Sequence, residues 1–248
     1  MVISSQSKSV SFLYSALDNY GGYPFHDLFD VVQPVYGPRD LVSANGALVL
    51  WGGEDISPSI YGQKPNTKYG NGGIQISRRD ELELALLSEA IIQGIPVIGI
   101  CRGAQLVCAK AGGKLVQHIS GHSCDHPIQT NEGKVFKTTS LHHQMMFPWN
   151  LDKSKFKLIA WTDPLLSNEY QGEEDQPVIF DENMLIPIAS ELNVDSESNI
   201  IEPEIIYFNE LKALCIQGHP EFIRNIKNTF VQYSLDLVNE YVKIHLIK

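Results

Sequence analysis

Basic residues are scarce in this chain: 19 lysines and arginines against 29 aspartates and glutamates leave a formal charge of −10. Nucleic-acid-binding surfaces normally carry the opposite balance, so no nucleic-acid partner is expected. Cysteine is scarcer still, with Cys101, Cys108, Cys124 and Cys215 alone. None stands in a Cys-x-x-Cys pair and two lie in apolar runs, a pattern of reduced thiols rather than a disulfide framework. Their spacing, alone or with the nearby histidines, matches no common zinc signature, so no metal is expected. No apolar run approaches the roughly 20 residues that span a bilayer. The N-terminal stretch lacks a compact apolar core behind a basic start. A cytoplasmic protein with no membrane partner is therefore expected.

What is present is an ordinary globular composition. The 248 residues are 43% hydrophobic and 19% charged, enough apolar material for a substantial core. Short aliphatic runs read as buried strands: VSFLYS near the start, VVQPVYG at 31–37, ALVLW at 47–51 and PVIGI at 96–100. Between the last two, residues 78–94 place apolar side chains at 82, 84, 86, 87, 91 and 92, a helical spacing stopped by Gly94 and Pro96. Strand, helix and strand in that order build a parallel sheet with helices on its faces, hence an α/β fold. A second helix follows Cys101 and stops at Gly112-Gly113. The later tracts KFKLIAW and EIIYFNELKALCIQG read as strands joined by an Asn-Glu turn, and 226–245 as a C-terminal amphipathic helix. Residues 168–203 stand apart as an acidic, polar excursion, read as solvated surface.

The chemistry centres on VIGICRGAQLV, residues 97–107. A buried strand turning sharply into a helix exposes the residue at the turn to free N–H groups and a partial positive charge. Gly99 and Gly103 flank Cys101 as the glycines of Gly-x-Ser-x-Gly flank its serine. The pentapeptide alone leaves Cys101 open between core filler and nucleophile. Cys108 and Cys215, inside apolar runs, read as core, and Cys124 reads equally as surface or site. A thiol nucleophile needs a base and oxyanion donors. In GHPEF, His219 and Glu221 stand two apart and share one face of an extended segment, where a carboxylate can fix the imidazole tautomer. In LVLWGGED, a strand running into Gly52-Gly53 brings bare backbone N–H groups to a strand end. In SLHHQ, His142 and His143 diverge if extended, so at most one faces a site.

Together GICRGAQ, GHPEF and GGEDISPSIYGQ resemble class I glutamine amidotransferases, with RRDELEL, AGGKLVQHISGH and SLHHQ resembling the free-standing γ-glutamyl-γ-aminobutyrate hydrolase branch. The likeness runs from about residue 47 to 223, with the acidic excursion interrupting it. Val107-Cys108 and Gln117-His118 depart from the usual pattern. The resemblance implies one domain over 1–248, a flavodoxin-like, mostly parallel sheet flanked by helices, and an extra antiparallel portion. It implies a triad of Cys101, His219 and Glu221. The oxyanion donors would be the N–H groups of Arg102 and of Gly53 or Gly52, with Gln105, His142, His143 and Gln144 holding the glutamyl end. It implies hydrolysis of a γ-glutamyl amide without a cofactor. The alternatives are ammonia delivery to a partner synthetase or transferase, and a non-catalytic regulatory protein of the same fold. A homodimer is a further partner arrangement the sequence leaves open.

Overall fold

In the computed structural model, which describes residues 9–17, 21–69, 75–173 and 201–246, the aliphatic runs become neighbours in one sheet. Its strands in chain order are β1 (Ser11–Ser15), β2 (Val31–Val35), β3 (Gly46–Leu50) and β4 (Val97–Ile100). Two ribbons of short strands follow, from β5 (Lys114–Val116) and β6 (His118–Ile119). The sheet resumes with β7 (His126–Thr130) and β8 (Val135–Thr138); β9 (Met145–Phe147) pairs with β5. After β10 (Phe156–Thr162), β11 (Tyr170–Gln171) pairs with β6, and the chain closes the sheet with β12 (Pro203–Phe208) and β13 (Ala213–Ile216). The nine-stranded order is β2-β1-β3-β4-β13-β12-β10-β7-β8. Every pair from β2 to β13 is parallel and every pair from β13 to β8 is antiparallel. The expected parallel α/β sheet with an antiparallel extension is the observed one.

Strand alternation explains why the central runs are apolar throughout. In β3, Leu48 and Leu50 enter the core under α1 (Arg78–Gln93) and α2 (Arg102–Lys110). Ala47 and Val49 enter the opposite core, which α3 (Thr229–Leu237) covers with Phe230, Tyr233 and Leu237. A strand covered on both faces needs no polar side. A third cluster, with Trp161, Met145 and Ile201, lies beside the ribbons.

Three expectations are corrected in detail. The run at 31–37 is an edge strand, with Val31 39% and Val32 43% exposed, which is where Pro34 is tolerated. In α1 the buried face includes Asp80 and Glu83 with Leu86, Leu87 and Ala90, while Ile92 points to solvent. The C-terminal helix begins at Thr229 because Asn228 Oδ1 accepts the N–H groups of Phe230 and Val231, and it loosens into a π-helical turn at Val238–Val242. Of the acidic stretch, residues 174–200 lie outside the described residues. Its described ends are built into the fold, with Tyr170 in β11 and Glu202 fully buried. Among the described residues no helix is long and apolar enough to cross a membrane.

Candidate active site

Parallel pairing of β4 with β13 sets the site. Ile100 lies opposite Ile216, so the residues following each strand emerge side by side: Cys101 after one, His219 after the other. The Cys101 N–H donates to Ile216 O at 2.8 Å, extending the ladder one step beyond the strand. Cys101 then takes φ 49° and ψ −107°. That left-handed backbone is strained for a side chain other than glycine, and it turns the strand into α2 at once. The flanking glycines are required by contact: a Cβ on Gly103 would sit 2.0 Å from Leu50 O, and one on Gly99 would sit 2.8 Å from the Ala104 backbone. Helix and strand therefore cross with no side chain between them, and Cys101, 8% exposed, stands at the edge of a cavity.

His219 and Glu221 meet, but not as an extended pair. Pro220 opens a 3-10 turn (Pro220–Phe222) that folds Glu221 back, placing its Oε1 2.7 Å from His219 Nδ1. A carboxylate accepts only, so Nδ1 carries the proton and Nε2 is turned to other business. Phe222 stacks on the ring at 4.5 Å and 3°. Burial pulls the His219 pKa down, but hydrogen bonds and charge from Cys101 and Glu221 outweigh it and push it up to about 10. The ring thus favours its protonated form beside the sulfur of Cys101.

Gly52 and Gly53 occupy different places. A Cβ on Gly52 would press His219 Cε1 at 2.8 Å, so this glycine lets the ring approach the end of β3. Gly53, with φ 152°, borders the cavity itself. Arg79 secures the chain leaving β3: its Nη2 donates to Gly52 O at 2.9 Å and to Trp51 O at 3.2 Å, and its Nε donates to Glu83 Oε1 at 2.8 Å. The other oxygen of Glu83 accepts from Arg102, whose second nitrogen meets Asp80 Oδ1. One buried carboxylate therefore bridges the glycine strand end and the first residue of α2, whose own N–H has no intrahelical acceptor. The apolar spacing of 78–94 does not reveal this bridge, because buried charge on an amphipathic helix looks like its solvent side until the partner arginine is placed.

The cavity, about 510 Å³, is lined by Cys101, Gly53, Glu54, Asp55, Gln105 and the 141–144 segment. His143 faces it, its Nε2 3.1 Å from Asp55 Oδ1, and that contact raises its pKa. His142 turns the other way: Nδ1 donates to Gln144 O at 2.9 Å and Nε2 points to Glu204, and burial pulls its pKa to about 4. The two histidines diverge, as an extended pair would. Gln105 Nε2 donates to the same Gln144 carbonyl at 3.1 Å, so this side chain braces the segment. The side-chain amide of Gln144 has no hydrogen-bond partner among the described residues. Burial pushes the Cys108 thiol up to about 12 and Cys215 well above its usual range, as befits core residues, whereas Cys124 is exposed.

A model of the Peptidase C26 family matches residues 7–171, which include Cys101 and stop short of His219. Among curated proteins, Protein NtpR of Enterococcus hirae is 36% identical over 208 residues, 82% of this chain and 79% of its own length. The glutamine amidotransferase-like protein YvdE of Lactococcus lactis is 42% identical over 73 residues, 29% of this chain. The chain spans only 30% of YvdE, and 25% of a Mycobacterium tuberculosis relative that is 46% identical over 82 residues. Among solved structures, the glutaminase domain of Trypanosoma brucei CTPS with bound acivicin superposes with a TM-score of 0.52. It covers 94% of this chain and 93% of that one at 12% identity, a likeness of fold.

Proposed function

Because this chain belongs to the Peptidase C26 family of class I glutamine amidotransferase-like proteins, we propose that it hydrolyses a γ-glutamyl amide bond through a thioester on Cys101. The observation that carries this reading is the placement of His219, an imidazolium fixed by Glu221 at 2.7 Å, beside a cysteine on a strained strand-to-helix turn. The sulfur of Cys101 attacks the γ-carbonyl carbon. The oxygen gains charge toward the N–H groups of Arg102 and Gly53, donors each worth about 10²–10³ in rate. The proton on His219 Nε2 passes to the departing nitrogen, the C–N bond breaks, and ammonia or an amine leaves. Water then attacks the thioester while the now neutral His219 takes its proton. The C–S bond breaks, glutamate is released, and the thiolate is again paired with an imidazolium.

The cavity gives this substrate two kinds of hold. Burial raises the Glu54 pKa, but its own backbone hydrogen bond, Arg79 and Arg102 lower it overall, and this carboxylate lines the cavity as a partner for an ammonium group. The unpartnered Gln144 amide supplies both a donor and an acceptor. Purified protein is to be given glutamine and a panel of γ-glutamyl amines, with Cys101→Ala as control. Glutamate release from at least one of them, lost in Cys101→Ala, is expected. Release undiminished in Cys101→Ala, or from none of them by folded wild type, contradicts the proposal.

The second reading is the same thioester chemistry with ammonia passed to a partner synthetase or transferase, favoured by the fold shared with a glutaminase domain. It predicts feeble release from glutamine alone and none from the amines.

A further inference from the structure

Behind the cavity, on the far side of the segment that carries His143 and Gln144, lies a second convergence of side chains that the proposed chemistry leaves unused. His122 comes from the loop after β6, His126 opens β7, His142 stands before β9 and Glu204 is in β12. None is more than 3% exposed. Three imidazole nitrogens surround a single carboxylate oxygen: His122 Nδ1 and His126 Nε2 each lie 3.1 Å from Glu204 Oε1, and His142 Nε2 lies 3.4 Å from it. The donor atoms of His122, His126 and Glu204 all fall within 4.8 Å of one another.

Hydrogen bonds from neutral rings do not by themselves account for this arrangement. His126 Nδ1 is 2.9 Å from Cys124 O and His142 Nδ1 is 2.9 Å from Gln144 O. A carbonyl oxygen only accepts, so in both rings Nδ1 carries the proton and, in the neutral ring, Nε2 is a lone pair. Were both rings neutral, two lone pairs would face one carboxylate oxygen, an arrangement that repels unless positive charge, a proton or a metal ion, lies between them. The other Glu204 oxygen, Oε2, and His142 Nε2 have no hydrogen-bond partner among the described residues, although both are buried. Unsatisfied buried groups of this kind cost stability unless something else engages them.

The outer contacts are those of metal-binding histidines. A ligating imidazole ordinarily fixes its orientation by giving its other N–H to a main-chain carbonyl or a carboxylate. His126 and His142 use carbonyls, and His122 turns Nε2 toward Glu202 Oε2 at 3.2 Å. Glu202 is itself held by the N–H groups of Leu166 and Ser167 at 3.0 Å and by the Tyr170 hydroxyl at 2.7 Å. Tetrahedral zinc with bonds of about 2.0–2.1 Å separates adjacent ligand atoms by about 3.4 Å. The three contacts to Glu204 Oε1 are close to that, and the spread of up to 4.8 Å among the donor atoms of His122, His126 and Glu204 would have to contract on binding.

We propose that His122, His126, His142 and Glu204 form a structural site for a divalent transition metal of the zinc class, buried beside the active-site cavity. Three imidazoles and a carboxylate match zinc in ligand type, and four protein ligands with no open position make a site that supports structure. The metal would tie the loop after β6, β7 and β12 to the segment that presents His143 and Gln144 to the cavity. It takes no part in the Cys101 chemistry, so it stands or falls independently of the reaction proposed above.

The test uses the full chain, purified without a histidine tag or chelator. Elemental analysis should find about one equivalent of zinc, and stripped protein titrated with Co(II) should develop the intense visible bands of tetrahedral cobalt at one equivalent. Glu202→Gln should weaken Co(II) binding about 10–100-fold, the usual effect of removing an outer partner. Glu204→Gln and His126→Ala should abolish the bands, with circular dichroism to check that each variant is folded. Cys101→Ala and Cys124→Ser should retain the bands. The wild-type titration does not depend on any variant folding. Wild-type protein that carries no zinc and gives no tetrahedral cobalt spectrum overturns the site, leaving protons to hold the cluster. Loss of the bands in Cys124→Ser overturns the ligand set.

Discussion

Glu221 Oε1 lies 2.7 Å from Nδ1 of His219, two residues earlier in the chain, and a 3-10 turn begun by Pro220 brings them together. This contact fixes which ring nitrogen faces Cys101. Replacing the carboxylate with an amide of the same shape removes the charge that supports the imidazolium and allows the wrong tautomer. Glu221→Gln should lower kcat by about 10²–10⁴-fold with little change in KM, read by steady-state kinetics on whichever γ-glutamyl compound is turned over. An unchanged kcat would detach Glu221 from the reaction.

The same contact makes a prediction about stability and pH. The folded state raises the His219 pKa from 6.5 to about 10. A raised histidine pKa stabilises the fold fully below the unfolded value and loses that contribution as pH climbs through the folded one. Between pH 6.5 and 10, wild type should therefore lose thermal stability faster than His219→Gln. Parallel melting curves for the two across that window would show that His219 does not ionise as described.

Gly52 is the point of closest approach to the ring, a Cβ there meeting His219 Cε1 at 2.8 Å. Gly52→Ala should displace the imidazole by a fraction of an ångström to about 1 Å and cost roughly a hundredfold or more in kcat. Circular dichroism should stay unchanged. Full activity in this variant would mean that the ring has room to spare.

Glu83 has no exposed surface and joins Arg79 to Arg102. Removing one partner from a buried ion pair leaves uncompensated charge and costs about 3–5 kcal/mol. Glu83→Gln should show a loss of that order in denaturant unfolding. The loss should exceed that of Glu81→Gln, an exposed carboxylate of the same helix. Equal effects would make the bridge incidental.

These residues also mark how far the sequence could be read. The turn at Cys101 was legible because aliphatic run, cysteine and spaced glycines lie together in eleven residues, and both the strained φ and the glycine contacts follow from that local pattern. The meeting of His219 with Glu221 was legible as proximity, although the reason given for it, strand alternation, was wrong because proline started a turn. The exposed edge position of Val31 and Val32 was hidden, since β-branched residues favour strands at an edge as well as in a centre. The Arg79–Glu83 half of the bridge is an i,i+4 pair within α1, but its link to Arg102 and the cluster around Glu204 were not legible. Each joins segments that only the sheet brings together, with Glu204 lying 82 positions from His122 and 78 from His126. Spacing along the chain carries no trace of such a meeting.

Covalent labelling of the thiols tests the central claim most directly. The protein is treated with a diazo-ketone glutamine analogue, digested, and its four cysteine-bearing segments examined by mass spectrometry. The account predicts one adduct per chain, on Cys101, blocked by competing γ-glutamyl substrate and absent from His219→Gln at matched reagent. An adduct on the exposed Cys124 instead, or an unmodified Cys101 in folded protein, would contradict it.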